Sequence, residues 1–311
     1  MKTTARRTLL RASMAGVLYH YLPLAQAKVP VGGRTGKPAS NNINQNDDET
    51  IILIHGAVAD MTFWMPLIPL LSQRYSVMSY ALYGHYTFGG GRDLELSPTH
   101  GSSYALQRHA DDLLRVLDEL SPRPVHLAGH DIGSNIALVA AMSRPDSVAS
   151  LTLANPSEIG FNFDDDDFRA AVRHDQGIVL QMRREWDRGS SKNALLTFLN
   201  HYVGVEANAM PAWARSMYVK NAPSLPMLLQ EYRQPALIDE QMIERLNTPL
   251  CLLSGDQTRA SARAVNDSLA RRFHQASHAL VPGGYLAPIR YPDMFTKAMD
   301  VMIHPSTVTT V

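Results

Sequence analysis

The sequence predicts an α/β fold: a mostly parallel sheet flanked by helices, with a block of helices inserted late in the chain. Three observations carry that reading. From Thr50 onward, short apolar runs alternate with stretches of helical periodicity, the pattern of a parallel sheet covered on both faces. Between Pro156 and about Asn247 helical patches continue but strand runs stop. The alternation resumes at Leu250. The inserted block would then cap the C-terminal ends of the strands, where open α/β sheets bind ligands.

Taken in order, residues 51–54 read as a buried strand ending at His55-Gly56, and Trp64, Leu67, Ile68 and Leu71 share one face of a helix. Residues 75–82 read as a second strand. Leu106, Ala110, Leu113, Leu114 and Leu117 mark the next helix, which Ser121-Pro122 closes. A strand over 125–128, a helix opened by Ile136, Ala137 and Ala140, and a strand over 148–154 complete the first half. In the second half, strands at 250–254 and 279–281 bracket a helix over 262–273, and a last helix follows Pro292. The predicted core is therefore 50–155 with 248–304, and the predicted cap is 156–247.

Twenty-nine basic residues balance 29 acidic ones, so nothing in the charge favours nucleic acid or an anionic membrane as partner. The single cysteine, Cys251, rules out an intramolecular disulfide and sits in an apolar run as a core residue. Arg6-Arg7-Thr8-Leu9-Leu10-Arg11 resembles a bacterial twin-arginine export motif. A weakly apolar stretch and Ala25-Gln26-Ala27, a small-x-small cleavage pattern, follow. Residues 1–27 are thus expected to direct export to the periplasm, the alternative being a plain N-terminal extension on a cytoplasmic protein. Residues 28–49, rich in Gly, Pro and Asn, read as linker. The stretch before Ala25 is too short and too interrupted for a membrane span, and no stable membrane insertion of the mature chain is expected.

The chemistry centres on Gly129-His130-Asp131-Ile132-Gly133, between a predicted strand and a predicted helix. Glycines flanking the central residue let strand and helix approach closely while that residue takes strained backbone angles. In this context the chain resembles the α/β-hydrolase superfamily, from Ile51 to about Ile303, and the resemblance implies an α/β-hydrolase fold with a helical cap. His55-Gly56 resembles that superfamily's His-Gly turn, so the amides of Ala57 and Ile132 would form an oxyanion hole. Trp64 matches a tryptophan often found in the following helix. Ser254-Gly255-Asp256 resembles the acid loop and makes Asp256 the candidate triad acid, with Asn155 at an alternative acid position. An aspartate at the elbow resembles the haloalkane dehalogenase and epoxide hydrolase branches, where the carboxylate forms an ester with substrate and water cleaves it. Val58 stands where those branches usually carry proline, and Ile132 where they often carry tryptophan.

The largest departure is at the far end. In Gly283-Gly284-Tyr285-Leu286-Ala287-Pro288, a loop resembling the superfamily's Gly-Gly-His-x-x-Pro, the histidine position is Tyr285, and Arg290 fills a usually acidic one. A phenol with a pKa of about 10 is only about 0.1% ionised at pH 7, so Tyr285 cannot simply replace imidazole as base. Another histidine would then have to serve as base: His278 enters the last strand, His274 ends a helix, His85 sits on a loop near the strands' C-terminal ends, and His130 is next to Asp131 but is expected to point away from it. Asp164-Asp165-Asp166-Asp167 lacks the spacing of a calcium loop and reads as the acidic start of a cap helix. Gly89-Gly90-Gly91 lacks the Lys-Ser/Thr of a phosphate loop. Tyr202, Trp213 and Tyr218 either line the pocket or pack the cap. The expectation is a hydrolase of a small, mostly apolar organic substrate (ester, lactone, epoxide or haloalkane), with Asp131 as nucleophile and no metal or organic cofactor. The alternative is a hydrolase-fold protein without hydrolysis: a ligand-binding protein, or a lyase or isomerase using Asp131 and Tyr285 as an acid/base pair.

Overall fold

The computed structural model describes residues 17–21, 49–85, 106–120, 122–232, 234, 236–273 and 276–304. The twin-arginine motif, Ala25-Gln26-Ala27, residues 28–48, Gly89-Gly90-Gly91 and His274 lie outside the described residues.

Seven strands form one sheet: β1 (Val17–Tyr21), β2 (Thr50–Ile54), β3 (Ser76–Ala81), β4 (Val125–His130), β5 (Val148–Ala154), β6 (Leu250–Gly255) and β7 (Ser277–Val281). Their order is β1-β3-β2-β4-β5-β6-β7. β2 to β7 run parallel, and β1 pairs antiparallel with β3 at the edge, Leu18 opposite Tyr80. Five of the predicted strands differ from the observed ones only by one or two residues at an end, and 148–154 coincides with β5. β1 is the exception: it falls inside the segment read as an export signal, and its run Val-Leu-Tyr-His-Tyr is rich in strand-forming residues.

β2 and β4 are buried on both faces, which is why β2 reads as an apolar run from Ile51 to Ile54 rather than an alternating one, whereas His126 and His130 interrupt β4. α2 (Leu106–Leu120) and α3 (Ile132–Ser143) cover the sheet beside them. The helix expected from Trp64 to Leu71 is divided: a 3-10 turn at Met61–Trp64, then the single turn α1 (Ile68–Leu71). Pro66 and Pro69 account for the division, since each lacks the N–H a continuous helix needs. α9 (Ala260–Arg272), the single turn α10 (Ala287–Arg290) and α11 (Pro292–Ile303) complete the second half.

The insertion is helical, as its pattern suggests. It holds α4 (Asp166–Asp187), α5 (Ser191–Phe198), a π-turn at Leu199–Val203, a 3-10 turn at Gly204–Ala209, α6 (Ala212–Asn221), α7 (Leu225–Glu231) and α8 (Glu240–Glu244). The acidic run does begin α4, with Asp166 and Asp167 in its first turn. Asp165 turns instead to the core, where it accepts from Ser268 and pairs with Arg271 and Arg272 of α9.

Candidate active site

Asp131 sits between β4 and α3 at φ 54°, ψ −127°, backbone angles that an L-residue rarely takes. Its N–H donates to the Ala154 carbonyl at 3.0 Å and its carbonyl accepts from Ser134 N–H at 2.9 Å, so the elbow is tied to β5 and to the start of α3. The flanking glycines are obligatory for a steric reason. A Cβ on Gly129 would lie 2.3 Å from the Gly133 carbonyl oxygen, and one on Gly133 would lie 2.4 Å from that of Ile54.

The Asp131 side chain is buried, and a single oxygen takes both of its hydrogen bonds. Oδ2 accepts from the Ala57 N–H at 3.0 Å and from the Tyr285 hydroxyl at 2.8 Å. Oδ1 accepts no hydrogen bond among the described residues. Of the two expected oxyanion donors, the Ala57 amide therefore reaches the carboxylate, while the Ile132 amide, opening α3, does not. Val58 follows at φ 57°. Proline, locked near −65°, could not take that angle, which gives the departure from the related branches a local backbone reason.

His55 and Gly56 form the turn that carries Ala57. The His55 Nδ1–H donates to the Gly56 carbonyl at 2.9 Å, and Nε2 accepts from Leu82 N–H at 3.2 Å, so the imidazole staples the end of β2 to the end of β3. Trp64 is fully buried, edge-on to Phe63 and His130, and supports the site from below. His130 keeps one ring nitrogen free: its buried Nδ1 has no hydrogen-bond partner among the described residues. Its Nε2–H donates to the Tyr285 carbonyl at 2.8 Å, and its ring lies T-shaped against the Tyr285 ring. His130 thus holds the backbone of the residue whose hydroxyl meets Asp131.

Asp256 does not join this group. It is exposed, its carboxylate accepts from Gly283 N–H at 2.8 Å, and it lines a surface cleft of about 410 Å³ with Thr258, Arg263 and His278. A carboxylate that caps the start of the Gly283-Gly284-Tyr285 loop shapes that loop and leaves the Tyr285 hydroxyl to Asp131. Asn155, at φ 45°, supports the same loop from within: its amide donates to the Gly284 carbonyl at 3.2 Å, and its oxygen accepts from the Thr258 hydroxyl at 2.6 Å. His278 is exposed on β7, and His85 is buried with its Nδ1 against the Tyr83 carbonyl at 3.1 Å.

The cap contributes groups that the motifs do not reveal. Buried Glu206 accepts from Leu286 N–H at 2.8 Å and pairs with Arg290 at 3.2 Å, pinning the cap to the Tyr285 loop. Arg259 of the core reaches Glu158 at 2.6 Å and Asp175 at 3.3 Å, and lies 4.3 Å over the Tyr202 ring. Tyr232 donates to Glu158 at 2.6 Å and shares a hydrogen bond with Tyr202. Burial alone would lower the Arg259 pKa, but Glu158 and the Tyr202 and Asp175 groups hold the guanidinium charged. Burial, with Asp131 next, pushes the Tyr285 and Tyr218 phenols well above their ordinary range, so both remain proton donors. The Tyr218 hydroxyl is buried with no hydrogen-bond partner among the described residues. Trp213 is exposed and plays no part in the buried group.

Burial also drives four histidines far below their usual pKa: His55, His85 and His109 to about 3, and His130 to about 4. A lowered histidine pKa leaves stability intact above the unfolded value of about 6.5 and removes it as pH falls toward the folded value. Each group costs about 1.4 kcal/mol per pH unit in that window, so the four together cost about 5 kcal/mol per unit. The thermal midpoint should fall by about 10 °C or more between pH 7 and pH 5, as scanning calorimetry can measure. A flat profile would mean that these rings find protons or water in the fold.

A family model described as the alpha/beta hydrolase fold matches residues 49–288. RutD of Caulobacter sp. strain K31, named for carbamate hydrolysis, is 26% identical over 85% of this chain and 91% of its own. The (E)-2-((N-methylformamido)methylene)succinate hydrolase of Acinetobacter baylyi is 32% identical, over 36% of this chain and 39% of its own. Among solved structures, MenH from S. aureus superposes with a TM-score of 0.69 at 13% identity, covering 93% of this chain and 97% of that one. The enol-lactonase from Burkholderia xenovorans gives 0.65 at 16% identity, covering 94% and 98%. At these identities the structural likeness is one of fold.

Proposed function

The chain belongs to the α/β-hydrolase family, a family of hydrolases, and from that premise we propose that it opens a small, mostly apolar substrate at a saturated carbon, with Asp131 Oδ1 as nucleophile. One observation carries the reading: Asp131 Oδ2 occupies the oxyanion position, bonded to Ala57 N–H and the Tyr285 hydroxyl. A substrate carbonyl oxygen would have to displace it, which disfavours acyl transfer from an ester or lactone in the first step. Attack on an epoxide or haloalkane carbon needs no oxyanion hole at that stage. The Oδ1–carbon bond forms as the ring C–O or carbon–halogen bond breaks. The unpartnered Tyr218 hydroxyl is a suitable proton donor to an epoxide oxygen. Water then adds to the carboxyl carbon, and the Ala57 amide stabilises the oxyanion formed there as the product alcohol leaves.

A second reading rests on the 2.8 Å hydrogen bond between Tyr285 and Asp131: the two as an acid/base pair in a non-hydrolytic rearrangement or elimination. Export through the N-terminal segment belongs to the same proposal, and cleavage after Ala27 would remove β1 and leave β3 at the sheet edge. Intact mass of protein from its native host, before and after incubation with epoxides, haloalkanes, esters and lactones, tests these points together. The expected results are a mature start at Lys28 and an adduct equal to the whole epoxide, or to the haloalkane less hydrogen halide. An acyl adduct from an ester or lactone would sink the saturated-carbon reading.

A further inference from the structure

The cap holds a second group of reactive side chains that no step at Asp131 uses. His174 and Asp175 on α4 and His201 in the Leu199–Val203 turn bring one ligand atom each to within 4.8 Å of one another. His201 Nε2 already lies 2.9 Å from Asp175 Oδ1. His174 is exposed, its ring 5.9 Å from that of His201, so it can swing toward them without disturbing the core.

Asp175 is held as metal-binding carboxylates usually are, by a donor on its other oxygen: the Arg259 Nε–H reaches Oδ2 at 3.3 Å and leaves Oδ1 facing the histidines. Charge points the same way. Arg259 is shared between Glu158 and Asp175, two carboxylates against one guanidinium, and both Glu158 oxygens already accept hydrogen bonds, from Arg259 and Tyr232. Arg259 meets Asp175 through Oδ2 alone, so Asp175 Oδ1, which faces His201 Nε2, is where a cation can reach the cluster.

We propose that His174, Asp175 and His201 bind a divalent transition-metal ion of the zinc type, clamping α4 to the turn that follows α5. Two imidazoles and one carboxylate oxygen suit zinc, copper or nickel rather than calcium or magnesium, which prefer all-oxygen shells. Donors of a tetrahedral zinc site stand about 3.4 Å apart at bond lengths near 2.0–2.1 Å, so the His201–Asp175 pair needs little adjustment and His174 closes the third side. Water fills the open fourth position. Because Asp175 also grips Arg259 of the core, the ion would brace the cap against the sheet without touching Asp131.

The test uses tag-free full-length protein titrated with zinc by calorimetry and with cobalt(II) by visible absorption. The expected result is one equivalent per chain with a Kd of about 10 µM or tighter, tetrahedral cobalt bands, and a higher Tm with zinc than with the same concentration of calcium. His174→Ala, an exposed change that should leave folding intact, and His201→Ala should each weaken binding by about tenfold or more. Absence of saturable binding by the unaltered protein would overturn the proposal. So would binding that both variants retain in full.

Discussion

Asp131→Asn should lower turnover by about 10⁴-fold or more, the scale seen when a catalytic nucleophile is removed, while changing the thermal midpoint little. The two halves of that expectation come from different atoms. Asparagine keeps an oxygen where Oδ2 now accepts from Ala57 N–H and the Tyr285 hydroxyl, so neither buried donor loses its acceptor. It places a neutral amide where the attacking Oδ1 must carry charge. Alanine would abolish activity too, but would strand both donors at about 1–3 kcal/mol each, partly offset by no longer burying a carboxylate. Asparagine is therefore the cleaner probe. Kinetics, with intact mass to follow the adduct, provide the readout, and full activity in Asp131→Asn would remove Asp131 from the mechanism.

Much of this fold was legible because the signals are local. Gly129-His130-Asp131-Ile132-Gly133 announces itself through two glycines whose Cβ atoms would strike backbone, and β2 announces itself as the apolar run Ile51 to Ile54. The site was legible only as far as local motifs reach. Asp131, Tyr285 and Ala57 do meet, whereas Asp256 faces solvent, because a loop motif fixes where a residue stands and not which way its side chain turns. The Glu158–Asp175–Tyr202–Tyr232–Arg259 group could not be read at all. Its members are spread over a hundred residues and share no spacing, so only the docking of cap on core brings them together. Buried Glu206 beneath Arg290 is similar: the basic residue at a usually acidic position was the visible half of a pair whose other half lies in the cap.

Tyr285 is where hydrolysis and acid/base chemistry part. Forming an ester on Asp131 needs no base, but cleaving it needs an activated water, and loss of a positioned base typically costs about 10²–10⁴ in rate, or roughly 3–5 kcal/mol of barrier. Among the described histidines, His130 has an unpartnered Nδ1 but burial lowers its pKa to about 4, which makes it a weak base at pH 7, while His55 staples two strands and His278 is exposed. A reactive substrate should therefore leave a long-lived ester on Asp131. Tyr285→His should speed its release, yet by less than the full amount, because Asp256 is turned to Gly283 N–H and cannot orient the new imidazole. Asn155 is better placed, donating to the Gly284 carbonyl one residue before the substitution. Adding Asn155→Asp gives up the hydrogen bond to the Gly284 carbonyl, which a carboxylate cannot donate, but frees an acid to turn to the new imidazole, and the double variant should release the adduct about tenfold or more faster than Tyr285→His alone. If Tyr285 instead works with Asp131 as an acid/base pair, both Tyr285→Phe and Tyr285→His should cut native turnover, since each removes the hydroxyl that meets Oδ2 at 2.8 Å. Single-turnover kinetics on the four proteins separate the two: faster release in the histidine variants supports the ester route, and equal loss in Phe and His with no adduct supports the pair.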